Sequence, residues 1–201
     1  QRVYPNGTLA CHVVGYIGKI QNYDTYYTSY KDKGYALSDL IGLDGVEKTM
    51  EDWLSACTTQ RVGKRVVEID RYGAVSRTLS STEATDGNNI KLTIDSNLQR
   101  VAENALEENI NYIRDQQETL LNSDSWLDKN KADLQGTTRD FETNPIELAE
   151  KGAVVVIDME GRVLALASYP PYDPNAFIVG GEAVANILLD SRNPLVNYAI
   201  G

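Results

Sequence analysis

The chain has 201 residues, with 19 Lys plus Arg against 29 Asp plus Glu, a formal net charge of −10. Hydrophobic residues make up 42% and charged residues 24%, an ordinary globular composition that argues against disorder or collagen-like repetition. The acidity, with no Lys/Arg cluster, argues against binding nucleic acid or anionic lipid, and the longest apolar runs, Ala153–Ile157 and Val163–Ala167, are too short to span a bilayer.

Residues 8–20 mix β-branched and aromatic side chains with glycine and predict a strand, where Gly15 and Gly18 allow a bulge or a close backbone approach. Residues 21–34 predict a polar loop. Tyr23, Tyr26, Tyr27, Tyr30 and Tyr35 cluster there, five of 12 tyrosines. They suit a tyrosine-lined sugar or peptide groove, or a loop whose rings lie flat on a neighbouring sheet. The second reading is preferred, because surface aromatics usually pack on something. Ala36–Ile41 predicts one or two helical turns. Asp44 and Glu47 read as an aspartate capping box, and Val46, Met50, Trp53 and Leu54 give the following helix an apolar face to about Ala56.

Arg65–Ile69 and Ala74–Leu79 flank Asp70-Arg71-Tyr72-Gly73 and predict a hairpin, with Gly73 supplying the positive φ. Residues 80–89 are small and polar and mark the best candidate domain boundary. Ile90–Ile94 predicts a short strand. Ser96 with Gln99 reads as a second capping box, opening a helix from about Asn97 to about Leu121 whose apolar residues recur every three or four positions. Trp126 and Leu134 suggest another amphipathic turn, and Pro145 suits the start of a short helix through Glu150. Ala153–Ile157 and Arg162–Ser168 predict a second hairpin around Asp158–Gly161, apolar enough to be covered on both faces. Tyr169–Asn175, with three prolines, predicts a stiff extended loop, and Ala183–Leu189 a helix.

The chemistry-bearing residues form no catalytic pattern. His12 is the only histidine and is read as structural. There is no Gly-rich phosphate loop, no Gly-x-Ser-x-Gly elbow and no metal-ligand spacing, so no metal or cofactor is expected. Glu107 and Glu108 are adjacent and point about 100° apart, a solvated face more than an acid/base pair. Cys11 and Cys57 could bridge in an oxidising compartment or serve as small buried hydrophobes, the latter preferred. Asn6-Gly7-Thr8 matches a glycosylation acceptor.

Seven blocks in order resemble the class B penicillin-binding proteins, specifically the elongation type that serves the cylindrical cell wall. Arg2-x-Tyr4-Pro5-x-Gly7 and His12-x-x-Gly15-Tyr16 resemble blocks of that family's pedestal, or dimerisation, domain. Gly42-x-x-Gly45-Val46-Glu47, with Glu51 and Leu54, resembles the next pedestal block. Thr93-Ile94-Asp95 with Leu98-Gln99 resembles the junction into the transpeptidase domain. Ala153–Asp158 through Gly161–Ala165 resembles that domain's first hairpin. Ser168-Tyr169-Pro170 through Asp173-Pro174-Asn175-x-Phe177, and then Pro194–Asn197, continue in family order. Two departures stand out: Ser55–Gln60 replaces the family's glycine turn, and residues 114–150 read as a lineage-specific insertion.

The resemblance implies an α+β fold: a mixed-strand pedestal over residues 1–90, then the linker, long helix and first hairpin of a transpeptidase domain over residues 91–201. It implies an internal piece of a longer protein, lacking an N-terminal membrane helix and stopping before the catalytic Ser-x-x-Lys. The parent would be a serine acyl-transferase that cross-links peptidoglycan stem peptides, binds β-lactams and sits on the extracytoplasmic face of the bacterial membrane. The pedestal's implied partners are the elongation machinery, a SEDS-type glycosyltransferase and a rod-shape scaffold protein. No catalytic residue is expected in this chain. The excised hairpin Ala153–Ser168 is expected to self-associate or be poorly ordered, because its sheet neighbours are missing. The alternatives are a free-standing extracytoplasmic glycan- or peptide-binding module using Tyr23–Tyr35, and, last, a small hydrolase with an unrecognised site.

Overall fold

The computed structural model describes residues 2–20, 22–58, 61–126, 129 and 147–200. The chain divides into two units. One comprises residues 1–5, 13–92 and 174–180; the other comprises 6–12, 93–173 and 181–201. The class is α+β, as expected, with helices and two-stranded antiparallel sheets.

The strand predicted over 8–20 contracts to β1 (Ile17–Lys19), and α1 (Cys11–Val14) precedes it. Ala10 at φ 54° and Gly15 at φ 78° interrupt any extended run, overriding the β-branched composition. A Cβ on Gly15 would run into the Asp44 carbonyl, so this close approach requires glycine. β1 pairs with β2 (Leu40–Gly42), Gly18 opposite Ile41. Here the expected helical turns over 36–41 are replaced: Asp39 accepts from the Ala36 N–H at 2.8 Å to make a turn, and Ile41 enters the core as a strand residue.

The predicted 21–34 loop is instead a series of short turns: α2 (Tyr23–Thr25), a π turn (Tyr26–Tyr30) and a 3₁₀ turn (Lys31–Lys33). Asn22 caps the series by accepting from the Thr25 N–H at 2.7 Å, and Gly34 ends it at φ 95°. Tyr26 and Tyr30 pack on the core of Ile20, Tyr35 and Ile41, with Tyr30 edge-on to Tyr35 at 5.3 Å, while Tyr23 and Tyr27 stay 67% and 55% exposed. Tyr35 is buried, so the five rings do not line up along one open groove.

The next helix breaks at Met50 into α3 (Gly45–Thr49) and α4 (Glu51–Leu54). Asp44 occupies the N-cap position without a side-chain cap bond, and Glu47 turns to Arg2, so the expected capping box does not form. The hairpin β3 (Lys64–Ile69) and β4 (Val75–Thr82) forms as expected. The Asp70 carboxylate accepts from the Tyr72 and Ala74 N–H groups, and Gly73 adopts φ 82°. The strand expected over Ile90–Ile94 is absent.

In the second unit, Thr93 and Asp95 explain that absence. The segment makes isolated bonds to the second hairpin, Thr93 Oγ1 to Val163 O at 2.6 Å and Asp95 N to Leu164 O at 2.9 Å, too few to define a ladder. Helix α5 (Ser96–Leu121) is capped by Asp95, which accepts from the Asn97 and Leu98 N–H groups at 2.9 Å. The predicted Ser96 cap is displaced by one residue, and Gln99 turns into the core. Ala102, Leu106 and Ile110 form a buried stripe against Ala165, Ala167 and Tyr169. Burying Leu106 and Ile110 contributes roughly 2 kcal/mol each.

The sheet under this stripe is β5 (Gly152–Ile157) paired with β6 (Val163–Tyr169). Gly152 lets Ile110 and Leu106 lie directly on the strand, since an added Cβ would meet them at 3.1 and 3.2 Å. The expected two-sided cover is not seen among the described residues. Helix α5 covers one face, while Val155 and Ile157 on β5 stay 43% and 57% exposed. Beyond α5, residues 124–126 are helical around Trp126; Leu134 and Pro145 lie outside the described residues, and 147–150 are not helical. Only part of the predicted Tyr169–Asn175 loop is loop: Tyr169 completes β6, the Tyr169–Pro170 bond is cis, and Asn175 starts α6 (Asn175–Val179). The chain ends with α7 (Glu182–Leu189) and turns.

Candidate functional site

Two polar clusters collect most of the residues picked out by sequence. In the first unit, Arg2 donates to Glu47 across 2.7 Å. The Glu47 side chain is 7% exposed and that of Arg2 38%, so the carboxylate is desolvated while the guanidinium reaches water. Burial raises Glu47 above the usual carboxylate range, and Arg2 and Tyr4 partly oppose it. The Tyr4 phenol is raised by burial and by the neighbouring Glu47 charge. The Tyr4 backbone is held from both sides: its N–H donates to Asn175 Oδ1 at 3.0 Å, and its carbonyl accepts from Asn175 Nδ2 at 2.8 Å. Tyr16 stacks on Phe177 with centroids 3.8 Å apart.

Glu51 performs a parallel task one turn along. It accepts from Tyr35 O–H at 2.8 Å and from Gly42 N–H at 2.7 Å, tying β2 to α4. Gly42 permits the close approach of β2 to α3, and Gly45 that of α3 to the backbone of Val13 and Gly15: a Cβ at either would meet backbone. Between Arg2, Val14, Leu40, Glu47, Glu51 and Leu54 lies a groove of about 900 Å³. Pro5 is exposed in the adjoining turn.

In the second unit, the His12 ring bonds Pro194 O at 2.7 Å through Nε2 and meets Cys11 Sγ at 3.3 Å through Nδ1. A carbonyl only accepts, so Nε2 carries the proton and Nδ1 accepts from the thiol. The Cys11 thiol, pushed up to about 12 chiefly by burial, stays protonated and suits that role. Tyr172 lies edge-on to His12 at 5.2 Å and donates to Cys11 O at 3.2 Å. Ser168 donates to Val196 O at 3.3 Å and accepts from Tyr198 N–H at 3.0 Å. Asn197 Nδ2 donates to His12 O at 3.5 Å. Together these bonds hold the 194–198 segment against α1 and the end of β6.

Thr93, Asp95 and Gln99 tie the start of α5 to β6 instead, while Pro170 is buried and Asp173 exposed. Every Ser168 and His12 bond described here goes to backbone or to the Cys11 thiol, an arrangement that positions chain. Among the described residues no group of three His, Cys, Asp or Glu could hold a metal. Cys11 and Cys57 are free thiols, in different units. Phe177 closes the Asp173–Phe177 block that sequence reading picked out, whereas Tyr172 and Glu103 were missed. Glu103 accepts from Ala10 N–H at 2.8 Å and Gln99 Nε2 at 2.7 Å, and its i+4 spacing from Gln99 was the available signal.

The family model of the Penicillin-binding Protein dimerisation domain matches residues 1–92. The peptidoglycan D,D-transpeptidase MrdA of Escherichia coli (strain K12) is 33% identical over 204 aligned residues, covering 99% of this chain and 25% of that protein. MrdA of Acinetobacter baumannii is 31% identical, covering 99% and 23%. Among solved structures, Pseudomonas aeruginosa PBP2 in complex with WCK 5153 is 25% identical with a TM-score of 0.57, over 97% of this chain and 30% of that one. A peptidoglycan synthase complex that coordinates polymerization and crosslinking contains a chain 28% identical, TM-score 0.58, over 97% and 29%. The chain spans about a quarter of the length of the curated relatives it matches. Residues 1–92 are thus a penicillin-binding protein dimerisation domain, and the chain is homologous along nearly its whole length to a part of the D,D-transpeptidase MrdA.

Proposed function

We propose that this chain is the non-catalytic pedestal and the opening of the transpeptidase domain of a protein that cross-links peptidoglycan stem peptides and is acylated by β-lactams. The observation that carries this reading is the alignment of 99% of the chain with MrdA, with the dimerisation-domain match confined to residues 1–92. On this reading the pedestal is residues 1–90, and 91–201 begin the catalytic domain. Arg2, Tyr4, Glu47 and Asn175 fix the pedestal. His12, Ser168 and Asn197 fix the chain that leads towards a catalytic Ser-x-x-Lys beyond residue 201.

No Ser in this chain is followed three residues later by Lys, so the nucleophile lies elsewhere in the parent. The parent is anchored at the outer face of the cell membrane, and the pedestal engages elongation partners: a SEDS-type glycosyltransferase and a rod-shape scaffold protein. The MrdA homology and the synthase-complex neighbour support an elongation role. Among the described residues no helix is long and apolar enough to cross a membrane.

Export of this chain alone in the parent's own host tests the reading. It should compete for the elongation partners and round the cells, while taking no penicillin label itself. Rod shape retained at an expression level well above the parent's would count against it.

A further inference from the structure

His12 joins two stretches of the second unit that lie 182 residues apart. Its side chain is 6% exposed, and the ring donates through Nε2 to Pro194 O at 2.7 Å. Pro194 is itself buried, so loss of the ring would strand its carbonyl.

The ring is mounted from behind. Ala10 N–H donates to Glu103 on α5 at 2.8 Å, and Tyr172 O–H donates to Cys11 O at 3.2 Å. The Tyr172 side chain is 3% exposed and stands edge-on to the imidazole, with centroids 5.2 Å apart. The Cys11 thiol, kept protonated by burial, gives its hydrogen to Nδ1 and leaves the imidazole proton on Nε2, where it faces Pro194 O. Cys11 and Tyr172 therefore set the tautomer and the tilt of the ring.

The segment that the ring holds is a run of tied turns. Asn193 N–H donates to Asp190 O at 2.9 Å, Val196 N–H to Asn193 O at 3.0 Å and Ile200 N–H to Asn197 O at 3.2 Å. Tyr198 O–H closes back on Arg192 O at 2.8 Å, and Asn197 returns to the His12 carbonyl at 3.5 Å. Turns bonded this closely move together, so a displacement at Pro194 is carried on to residue 200.

We propose that Cys11, His12 and Tyr172 form a positioning relay for acyl transfer: thiol and phenol orient the imidazole, and the imidazole sets where the chain enters the catalytic segment. This rests on the proposed function, in which the nucleophile lies beyond residue 201.

The test is the rate at which fluorescent penicillin acylates the full-length parent, read together with the final stoichiometry of label. Misfolding lowers the final stoichiometry, whereas misplacement slows the approach to it. His12→Phe keeps a ring beside Tyr172 and removes both nitrogens. It should reach full label about a hundredfold more slowly. His12→Gln, whose amide still donates to Pro194 O, should recover much of that rate. Tyr172→Phe should slow acylation by about tenfold, the effect of one lost hydrogen bond. It should add nothing in the His12→Phe background, because it acts through His12. A wild-type rate for His12→Phe, a loss of final label at an unchanged rate, His12→Gln no faster than His12→Phe, or effects of His12→Phe and Tyr172→Phe that multiply would each overturn the proposal. An unsubstituted parent that takes no label would overturn the proposed function and this inference with it, so the two failures are told apart.

Discussion

Gln99 pairs with both backbone groups of Leu166. Its Oε1 accepts from Leu166 N–H at 2.7 Å, and its Nε2 donates to Leu166 O at 2.8 Å. The side chain is wholly buried and completes β6 where a neighbouring strand would otherwise bond. The second Nε2 hydrogen goes to Glu103 at 2.7 Å, which fixes the amide's orientation.

Gln99→Leu leaves the Leu166 N–H and C=O unpaired in the core. We expect a loss of roughly 3 kcal/mol in urea unfolding, from two lost bonds and two stranded groups. Gln99→Glu restores one acceptor but sets a carboxylate against Leu166 O and Glu103. It should destabilise more at neutral pH than at pH 4, and a pH-independent loss would refute the assignment.

Glu47 gives the first unit a signed pH dependence. Burial raises its folded pKa, so the unfolded chain ionises more readily. Its contribution to stability is therefore full below the unfolded value near 4.5 and lost as pH rises through the folded value. Glu47→Gln keeps an acceptor for Arg2 and removes the titration. Wild type should lose stability relative to this variant as the pH is raised from about 4 to 7. Parallel stability profiles would contradict the desolvated carboxylate.

The two thiols should differ in reactivity. Cys11 is 2% exposed with its thiol raised to about 12, whereas Cys57 is only partly buried. With Ellman's reagent at pH 8, the native protein should release about one equivalent rapidly and a second only on unfolding. Two equivalents released at once would show that α1 does not enclose Cys11.

The uncovered face of β5 makes self-association the expected solution state. Val155 and Ile157 lie open beside Met159, which is 98% exposed. Sedimentation should show concentration-dependent association, weakened by Val155→Thr with Ile157→Thr. A monomer whose 152–169 amides resist exchange would argue that the face is stable alone.

Much of the second unit was legible because its signals are long and local. The three- and four-residue recurrence of Ala102, Leu106 and Ile110 marks α5, and Asp158–Gly161 marks the β5–β6 turn. Outside the β3–β4 hairpin, much of the rest was not, because tertiary contacts decide it. Residues 8–20 have strand composition, yet the left-handed Ala10 and Gly15 bracket a helix. Glu47 and Gln99 sit at capping-box positions, yet Arg2 and Leu166 claim them. The site residues were found through resemblance. Their spacing does not disclose that Asn175 holds Tyr4, 171 residues away.

The central claim is that this chain positions a transpeptidase without supplying its nucleophile. Fluorescent penicillin labelling, with the acylated peptide mapped by mass spectrometry, tests it most directly. The full-length parent should be labelled at a serine outside residues 1–201, and the isolated chain should remain unlabelled. A covalent adduct on any residue within 1–201 would contradict the account.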